Sequence, residues 1–320
     1  MSHATAIAHP NIALIKYWGK RDLALNLPAV SSLSLTLDGF HTRTTVTWGA
    51  PADAMELNGA PAADKVAAKA LRFLDRLDPD RPPCRIVSEN SFPTGAGLAS
   101  SASGFAALAL AAQAARGAPI DSTELSILAR QGSGSACRSL WGGFVVWRRG
   151  ERPDGLDSHG VPVADAAWDL RMVVAVVATE GKAVGSTEGM ERSRHTSPLY
   201  RTWVDQAEQD VQDGVSAVHD RDIARLGRAM EASTLKMHAT MHTADPPLMY
   251  WRPESVACLQ AVWALRASGT GAWATMDAGP QVKVLCLAAD AARVADALRP
   301  HARELHVLAP GGAARVVDVG

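Results

Sequence analysis

Four segments of this chain gather residue types that handle phosphate and carboxylate groups. The first is Pro93-Thr94-Gly95-Ala96-Gly97-Leu98-Ala99-Ser100-Ser101. Its glycines let the backbone turn amides inward, and a helix opening at the serines adds partial positive charge, so the loop can cradle phosphate oxygens. Ser100 and Ser101 can add hydroxyls to phosphate or to a phosphate-bound Mg²⁺. Two other phosphate loops are excluded. Ser100 stands where a dinucleotide fingerprint needs its third glycine, and no Gly-Lys-Ser/Thr completes a Walker A loop. A glycine-serine turn without a ligand is the structural alternative.

The second segment, Asn11 to Asp22, sets Lys16, Lys20 and Arg21 beside Tyr17 and Trp18. Lysines act as mobile point charges for phosphate, and the two rings can wall a site from water. A solvated turn after an edge strand is the alternative. The third, Arg130 to Ser139, holds two Gly-Ser pairs, an adaptable donor surface, followed by Arg138, which can fork onto a carboxylate. Alone it also reads as a flexible loop. The fourth is Thr275-Met276-Asp277-Ala278-Gly279-Pro280, where Asp277 is either an Asx-turn residue or a base aimed into a cleft. His238 and His242 have the i, i+4 spacing of zinc ligands. No Glu follows His238 where such a site needs one, and no third ligand is apparent.

These segments need a scaffold. Thr42 to Trp48 and Leu33 to Leu37 read as strands from their β-branched residues, and Asn58-Gly59 marks a hairpin turn after Met55 to Leu57. Ala62 to Leu77 carries Val66, Ala70, Phe73, Leu74 and Leu77 at helical spacing around Lys65, Lys69, Arg72 and Arg76, the pattern of a helix lying on a sheet. Cys84 to Val87 reads as a strand, Ser101 to Arg116 as a small-residue buried helix, and Ser122 to Arg130 as a helix capped by Asp121 or Ser122. Strands follow at Phe144 to Trp147 and Leu170 to Ala178. Helices at Ser197 to Ala217, Arg221 to Met237 and Pro253 to Ser268 come next. Strands at Ala272 to Met276 and Val282 to Leu287, a helix at Ala289 to Leu298, and strands at Leu305 to Leu308 and Arg315 to Val317 complete the chain. Mixed runs without regular βαβ alternation predict an α+β protein. Its 320 residues suit two lobes, expected at 1–180 and 181–320.

Composition narrows the partners. With 32 Lys and Arg against 33 Asp and Glu, the chain lacks the basic surplus that nucleic acid or anionic membrane requires. Any anion must meet a local cluster, and Lys16, Lys20, Arg21 and Arg138 are expected to converge in one cleft. The longest apolar runs, such as Met172 to Ala178, fall short of the roughly 20 residues that span a bilayer. The N-terminus shows no secretory pattern, so a cytoplasmic address is expected. Cys84, Cys137, Cys258 and Cys286 are scattered, as reduced packing thiols would be.

Taken together, the segments resemble the GHMP small-molecule kinase superfamily and, within it, the diphosphomevalonate decarboxylase family. The likeness runs through Pro10 to Ala13, Lys16 to Asp22, Leu27-Pro28, Ser31 to Ser34, Phe92 to Gly104, Gly132 to Ser139, Ser186 to Met190, Pro246 to Tyr250 and Asp277 to Pro280. The phosphate loop is shared across the superfamily; Lys-Tyr-Trp-Gly-Lys and Gly-Ser-Gly-Ser-Ala-Cys-Arg are specific to the decarboxylases.

The resemblance implies a GHMP-kinase-like fold with a cleft between lobes. It also implies ATP-dependent decarboxylation of mevalonate 5-diphosphate to isopentenyl diphosphate, with ADP, phosphate and CO₂ released. ATP and Mg²⁺ would be required, and a homodimer is what the family suggests. Pro93, Gly95, Ala96, Gly97, Leu98, Ala99, Ser100 and Ser101 would hold ATP, with Ser101 also near the metal. Asp277 would accept or orient the 3-hydroxyl proton, Arg138 would orient the substrate carboxylate, and Lys16 would stand beside the transferring phosphate. Tyr17, Lys20, Ser133, Ser135, Ser186 and Met190 would grip the rest of the substrate. The alternatives are a superfamily kinase that stops after phosphoryl transfer, a decarboxylase of a related mevalonate phosphate, and an inactive ATP-binding sensor.

Overall fold

Alternation in Thr42–Trp48 places Thr42, Thr44, Val46 and Trp48 on the buried face of one strand, and the first sheet is built around it. The computed structural model describes residues 2–92, 100–180 and 183–320. In chain order they form β1 (Ser2–Ala8), β2 (Asn11–Ile15), β3 (Lys20–Asp22), β4 (Leu27–Pro28), β5 (Ser32–Thr36), β6 (Thr42–Trp48), β7 (Ala54–Leu57), β8 (Ala60–Pro61), α1 (Asp64–Leu77), β9 (Cys84–Asn90), α2 (Ser100–Ala115) and α3 (Ser122–Gly132). After a 3₁₀ helix at Gly134–Arg138 come β10 (Phe144–Trp147), β11 (Gly160–Ala164), β12 (Leu170–Val176), α4 (Ser186–Thr196), α5 (Tyr200–His219), α6 (Ile223–His242) and α7 (Pro253–Ala267). The chain closes with β13 (Ala272–Thr275), β14 (Val282–Leu287), α8 (Ala291–Leu298), β15 (Glu304–Leu308) and β16 (Arg315–Val319).

The first sheet has the order β16-β1-β6-β9-β7-β8, antiparallel except for the β7–β9 pair. Asn58 and Gly59 both take positive φ, 52° and 77°, which a two-residue hairpin turn between β7 and β8 requires. The alanines of α2 let that helix settle closely on β1 and β6. Trp48 Nε1 donates to the Ala112 carbonyl at 3.2 Å, and the Thr42 and Ser103 hydroxyls meet at 2.7 Å.

Two four-stranded sheets, β11-β10-β5-β2 and β13-β14-β12-β15, enclose α5 and α6. Ile12, Leu14, Leu33 and Leu35 on one side share a core with Met172, Val174, Trp273 and Leu285 on the other, through Val211 and Met230 of the helices. The approach is close: a Cβ on Gly227 of α6 would lie 2.1 Å from the Trp273 ring. Helices α7 and α8 cover the outer face of the second sheet with Leu259, Val262 and Val294. The fold is α+β, as the mixed pattern predicts. β12 pairs with β14 and β15, and β16 returns to β1, so the sheets draw strands from both sides of residue 180.

Most elements follow the sequence pattern; α4 does not. Of its eleven residues only Gly189, Met190 and Ser193 are buried, so no apolar stripe marks it as a helix. The four cysteines are free and buried. No helix among the described residues is long and apolar enough to cross a membrane.

Candidate active site

A cleft of about 780 Å³ is lined by residues from both halves of the chain, and Asp277 lines it beside two lysines, Lys16 and Lys283. β2 is wholly buried, and the backbone amide of Lys16, just past its end, donates to Ser233 Oγ of α6 at 3.0 Å. That anchor leaves Lys16 Nζ 2.7 Å from Asp277 Oδ1. The other carboxylate oxygen, Oδ2, accepts from Lys283 Nζ at 2.9 Å. Strand register explains the second contact. Lys283 pairs with Thr275 across β13 and β14, directly opposite residues share a face, and Asp277 lies two residues beyond Thr275.

Both lysine side chains are almost fully buried, at 1% and 2% exposure, whereas Asp277 is 37% open. Burial by itself raises a carboxyl pKa, but Lys16 and Lys283 together outweigh it and hold Asp277 well below the usual carboxylate range. Lys16 is drawn down to about 8 by burial; the attraction of Asp277 opposes the drop, and the neighbouring Lys283 adds to it.

Arg138 ends the 3₁₀ helix that follows α3, whose N-cap Asp121 accepts from Thr123 and Glu124 amides. It is 3% exposed. Its Nε donates to Asn11 Oδ1 at 3.1 Å and its Nη1 to Ser32 Oγ at 2.6 Å, while the guanidinium lies 5.7 Å from the Trp147 ring centroid. Asn11 is itself fixed by donating to Ser139 Oγ at 2.7 Å and to the Ser135 carbonyl at 3.1 Å. Among the described residues no carboxylate pairs with Arg138, so neutral groups orient the guanidinium and leave its charge for an anion in the cleft. Arg130, eight residues earlier, is also buried, but it donates to the carbonyls of Leu25, Gly155 and Ser158 and serves packing.

The Gly-Ser run is not a flexible loop. A Cβ on Gly132 would meet Phe105 at 2.1 Å, and one on Gly134 would meet Trp147 at 2.7 Å. These glycines bring the backbone onto the rings and turn Ser133 and Ser135 toward the cleft. Ser133 Oγ donates to Ser101 Oγ at 3.2 Å, linking this wall to the head of α2. Ser100 and Ser101 are the first two residues of that helix and line the cleft. Pro93, Gly95, Ala96, Gly97, Leu98 and Ala99 lie outside the described residues.

Tyr17 packs against Trp147 with ring centroids 4.7 Å apart, and its buried hydroxyl has no hydrogen-bond partner among the described residues. Lys20 Nζ donates to Asn26 Oδ1 at 2.6 Å and reaches Thr187 Oγ1 at 3.4 Å. Ser186 opens α4, and Met190 packs in the cluster of Trp18, Tyr200 and Tyr250; both line the cleft. Gly189 lies between them because a Cβ there would press on Tyr250 at 2.9 Å and on Trp18 at 3.1 Å.

One expected cation is elsewhere. Arg21 is exposed and donates to the carbonyls of Arg149 and Arg152 instead of entering the cleft, because alternation along β3 turns it opposite to Lys20. Other cations take its place. Lys69, Arg72 and Arg76, spaced i, i+3 and i+7 on α1, line the cleft, as does Lys283. That spacing was the available signal for α1. The signal for Lys283 was its position across a short hairpin from Asp277. Seven Lys or Arg and two carboxylates, Asp277 and Glu180, line the cleft among the described residues.

His238 and His242 meet no third metal-ligating side chain among the described residues. His238 Nδ1 accepts from Trp251 Nε1 at 3.0 Å, and both imidazoles pack on that indole. Burial pushes His238 down to about 3, so it is neutral. Among the described residues no three His, Cys, Asp or Glu come together to hold a metal ion.

Comparison with known proteins agrees along the whole chain. The family models for the diphosphomevalonate decarboxylase-like N-terminal domain and the mevalonate 5-diphosphate decarboxylase C-terminal domain match residues 8–160 and 172–307. A diphosphomevalonate decarboxylase of Aspergillus fumigatus is 42% identical, over 92% of this chain and 80% of its own length. The crystal structure of mevalonate diphosphate decarboxylase from Staphylococcus aureus superposes with a TM-score of 0.94 at 37% identity, covering 99% of this chain and 98% of that one. MDDEF in complex with MVAPP, AMPPCP and magnesium gives 0.92 at 40% identity, with 99% of each chain covered.

Proposed function

This chain belongs to the diphosphomevalonate decarboxylase family, and from that premise we propose that its cleft uses ATP to convert mevalonate 5-diphosphate into isopentenyl diphosphate, ADP, phosphate and CO₂. The observation that carries this reading is the placement of a doubly pinned carboxylate, Asp277, in one cleft with a buried arginine that has no carboxylate partner among the described residues. An anionic substrate with a hydroxyl and a carboxylate matches that pair. A relative solved with MVAPP and with the ATP analogue AMPPCP supports the same two ligands.

The tertiary 3-hydroxyl is a poor leaving group until it carries phosphate. Asp277 accepts a hydrogen bond from it and aligns its oxygen with the γ-phosphoryl group. Held strongly acidic by two ammoniums, Asp277 takes the proton late, as the oxygen gains its bond to phosphorus; a loose phosphoryl-transfer transition state requires little earlier deprotonation. The C3–O bond then breaks, with the phosphate taking the electron pair. Charge deficiency at C3 is filled from the C1–C2 bond, whose pair becomes the C2–C3 double bond as CO₂ departs. Arg138 uses the guanidinium protons not given to Asn11 and Ser32 to hold the carboxylate in line for that cleavage.

Lys16 stands at the transferring phosphate, and Tyr17, Lys20, Ser133, Ser135, Ser186 and Met190 bind the substrate along the cleft. Lys69, Arg72 and Arg76 extend the cationic wall for the diphosphate. Remote binding of that tail aligns the reacting end. The head of α2, with Ser100 and Ser101, receives ATP phosphates.

Without a cage of acidic or imidazole ligands, the described residues fit a magnesium that arrives on ATP phosphates, with Ser101 Oγ as the protein donor. When bound, it offsets phosphate charge. We extend the proposal to a homodimer working in the cytoplasm; light scattering that returned a monomer at micromolar concentration would remove the dimer.

The test is a stoichiometric assay with ATP, Mg²⁺ and mevalonate 5-diphosphate, run beside the monophosphate. Equal amounts of ADP, CO₂ and isopentenyl diphosphate are expected, with the diphosphate preferred. ADP without CO₂ would make the protein a kinase, and binding without ADP a sensor.

A further inference from the structure

Lys283 makes one carboxylate contact, yet it is buried in a wall already rich in cations. One carboxylate cannot neutralise two ammoniums, so Lys16, Asp277 and Lys283 form a buried group with surplus positive charge. An ion pair kept for stability would be balanced, and even a balanced buried pair is often replaceable by apolar side chains. The imbalance faces the opening where Asp277 is exposed. A carboxylate held through one oxygen can still rotate about its last torsion, which has a broad, roughly two-fold profile. Contacts at 2.7 Å on Oδ1 and 2.9 Å on Oδ2 remove that freedom.

We propose that Lys283 is a positioning residue for the reaction, fixing the rotation of Asp277 and its ionised form so that the carboxylate meets the substrate hydroxyl in one geometry. The proposal rests on the reading of Asp277 given above. The β13–β14 register is what makes Lys283 suited to the role, since the lysine is carried on the same hairpin as the carboxylate it holds. The charged or titratable groups that act on Asp277 are Lys16 after β2, Arg138 from the 3₁₀ helix, His238 from α6 and Lys283 itself. Of these, only Lys16 and Lys283 bond to Asp277, and His238 is neutral. Removing Lys283 therefore removes half of the direct cationic support.

The experiment compares full-length Lys283→Met, Lys283→Gln and Lys283→Arg with the parent for CO₂ release across pH 4.5 to 9. For Met and Gln, kcat should fall by roughly 30-fold or more, with both KM values held within about threefold. Losing a cation raises the carboxyl pKa toward the ordinary carboxylate range, so the Met and Gln variants should lose rate at the acid end of this window, where the parent, with its carboxyl held lower, does not. Lys283→Arg should recover part of the rate and reduce that acid-end loss. Parent-like kcat and pH profile in either neutral variant that folds would overturn the proposal, as would a rate loss explained entirely by reduced folded fraction. If Met and Gln both fail to fold while Arg folds with normal kinetics, Lys283 is structural and the proposal falls. Asp277→Asn separates the two readings. If it abolishes turnover while Lys283→Met does not, only the Lys283 role fails; if it retains turnover, the reading of Asp277 fails with it.

Discussion

Replacing Arg138 with leucine removes a buried charge while keeping an apolar side chain. Two unit charges about 4 Å apart attract by about 4 kcal/mol at an effective dielectric of roughly 20, and a hydrogen bond to a charged group contributes about 1.5–3 kcal/mol. Arg138 is 3% exposed and its guanidinium is already oriented by Asn11, Ser32 and Trp147, so little of that interaction is spent on ordering it. Assigning about 3 kcal/mol to the step in which the carboxylate is held for cleavage gives a loss of at least about a hundredfold in kcat. Asn11 Oδ1 and Ser32 Oγ also lose a donor, a cost of about 1–3 kcal/mol that should lower Tm by roughly 1.5–5 °C.

ATP affinity should stay within about threefold, because Ser133, and not Arg138, bonds to the head of α2. Release of labelled CO₂ under saturating substrates gives kcat, and a fluorescent ATP analogue gives Kd. A matching loss of ATP affinity, or a kcat within tenfold of the parent in folded protein, would refute the assignment.

Arg72→Ala should raise the KM for mevalonate 5-diphosphate about tenfold or more with kcat changed only a few-fold, and added salt should narrow the difference from the parent; steady-state titrations at two ionic strengths check it. Gly134→Ala forces a Cβ to within 2.7 Å of Trp147, the ring under both Tyr17 and Arg138, and should cost roughly tenfold in kcat/KM. Gly312→Ala, which meets nothing within 4 Å, should match the parent in the same assay. Lys16 lies at about 8 in the free protein, so kcat/KM should decline as pH rises through that value and its ammonium is lost. Lys16→Arg, if active, should carry that limb above pH 9, since the guanidinium stays charged.

Much of the scaffold was legible. Thr42–Trp48 and Phe144–Trp147 are strands with the expected limits: the first writes the two-residue period of a half-buried strand into the chain, and the second is a short apolar run of β-branched and aromatic residues. Helix α4 was not legible: it is held by Met190 and a close glycine contact and presents no stripe. Individual side chains divide in the same way. Lys16, Asp277 and Arg138 stand in dense motifs whose residue types point to anion chemistry, and they do line one cleft. Arg21 stands in the same motif as Lys20, yet one residue of strand alternation turns it away. Lys69, Arg72 and Arg76 match an ordinary solvated helix face and differ only because α1 borders the cleft.

The sequence by itself determined which local elements form and which chemical groups are at hand, since period, turn residues and motif composition act over a few neighbouring residues. Tertiary structure decided which charges are desolvated and which of them meet. Arg130 and Arg138 sit eight residues apart and are both buried, but one donates to backbone carbonyls and the other is held by neutral side chains beside an open cleft. Lys283 acquires its partner only through the register of β13 on β14. Burial and distance set electrostatic strength, and both arise from contacts between segments far apart in the chain.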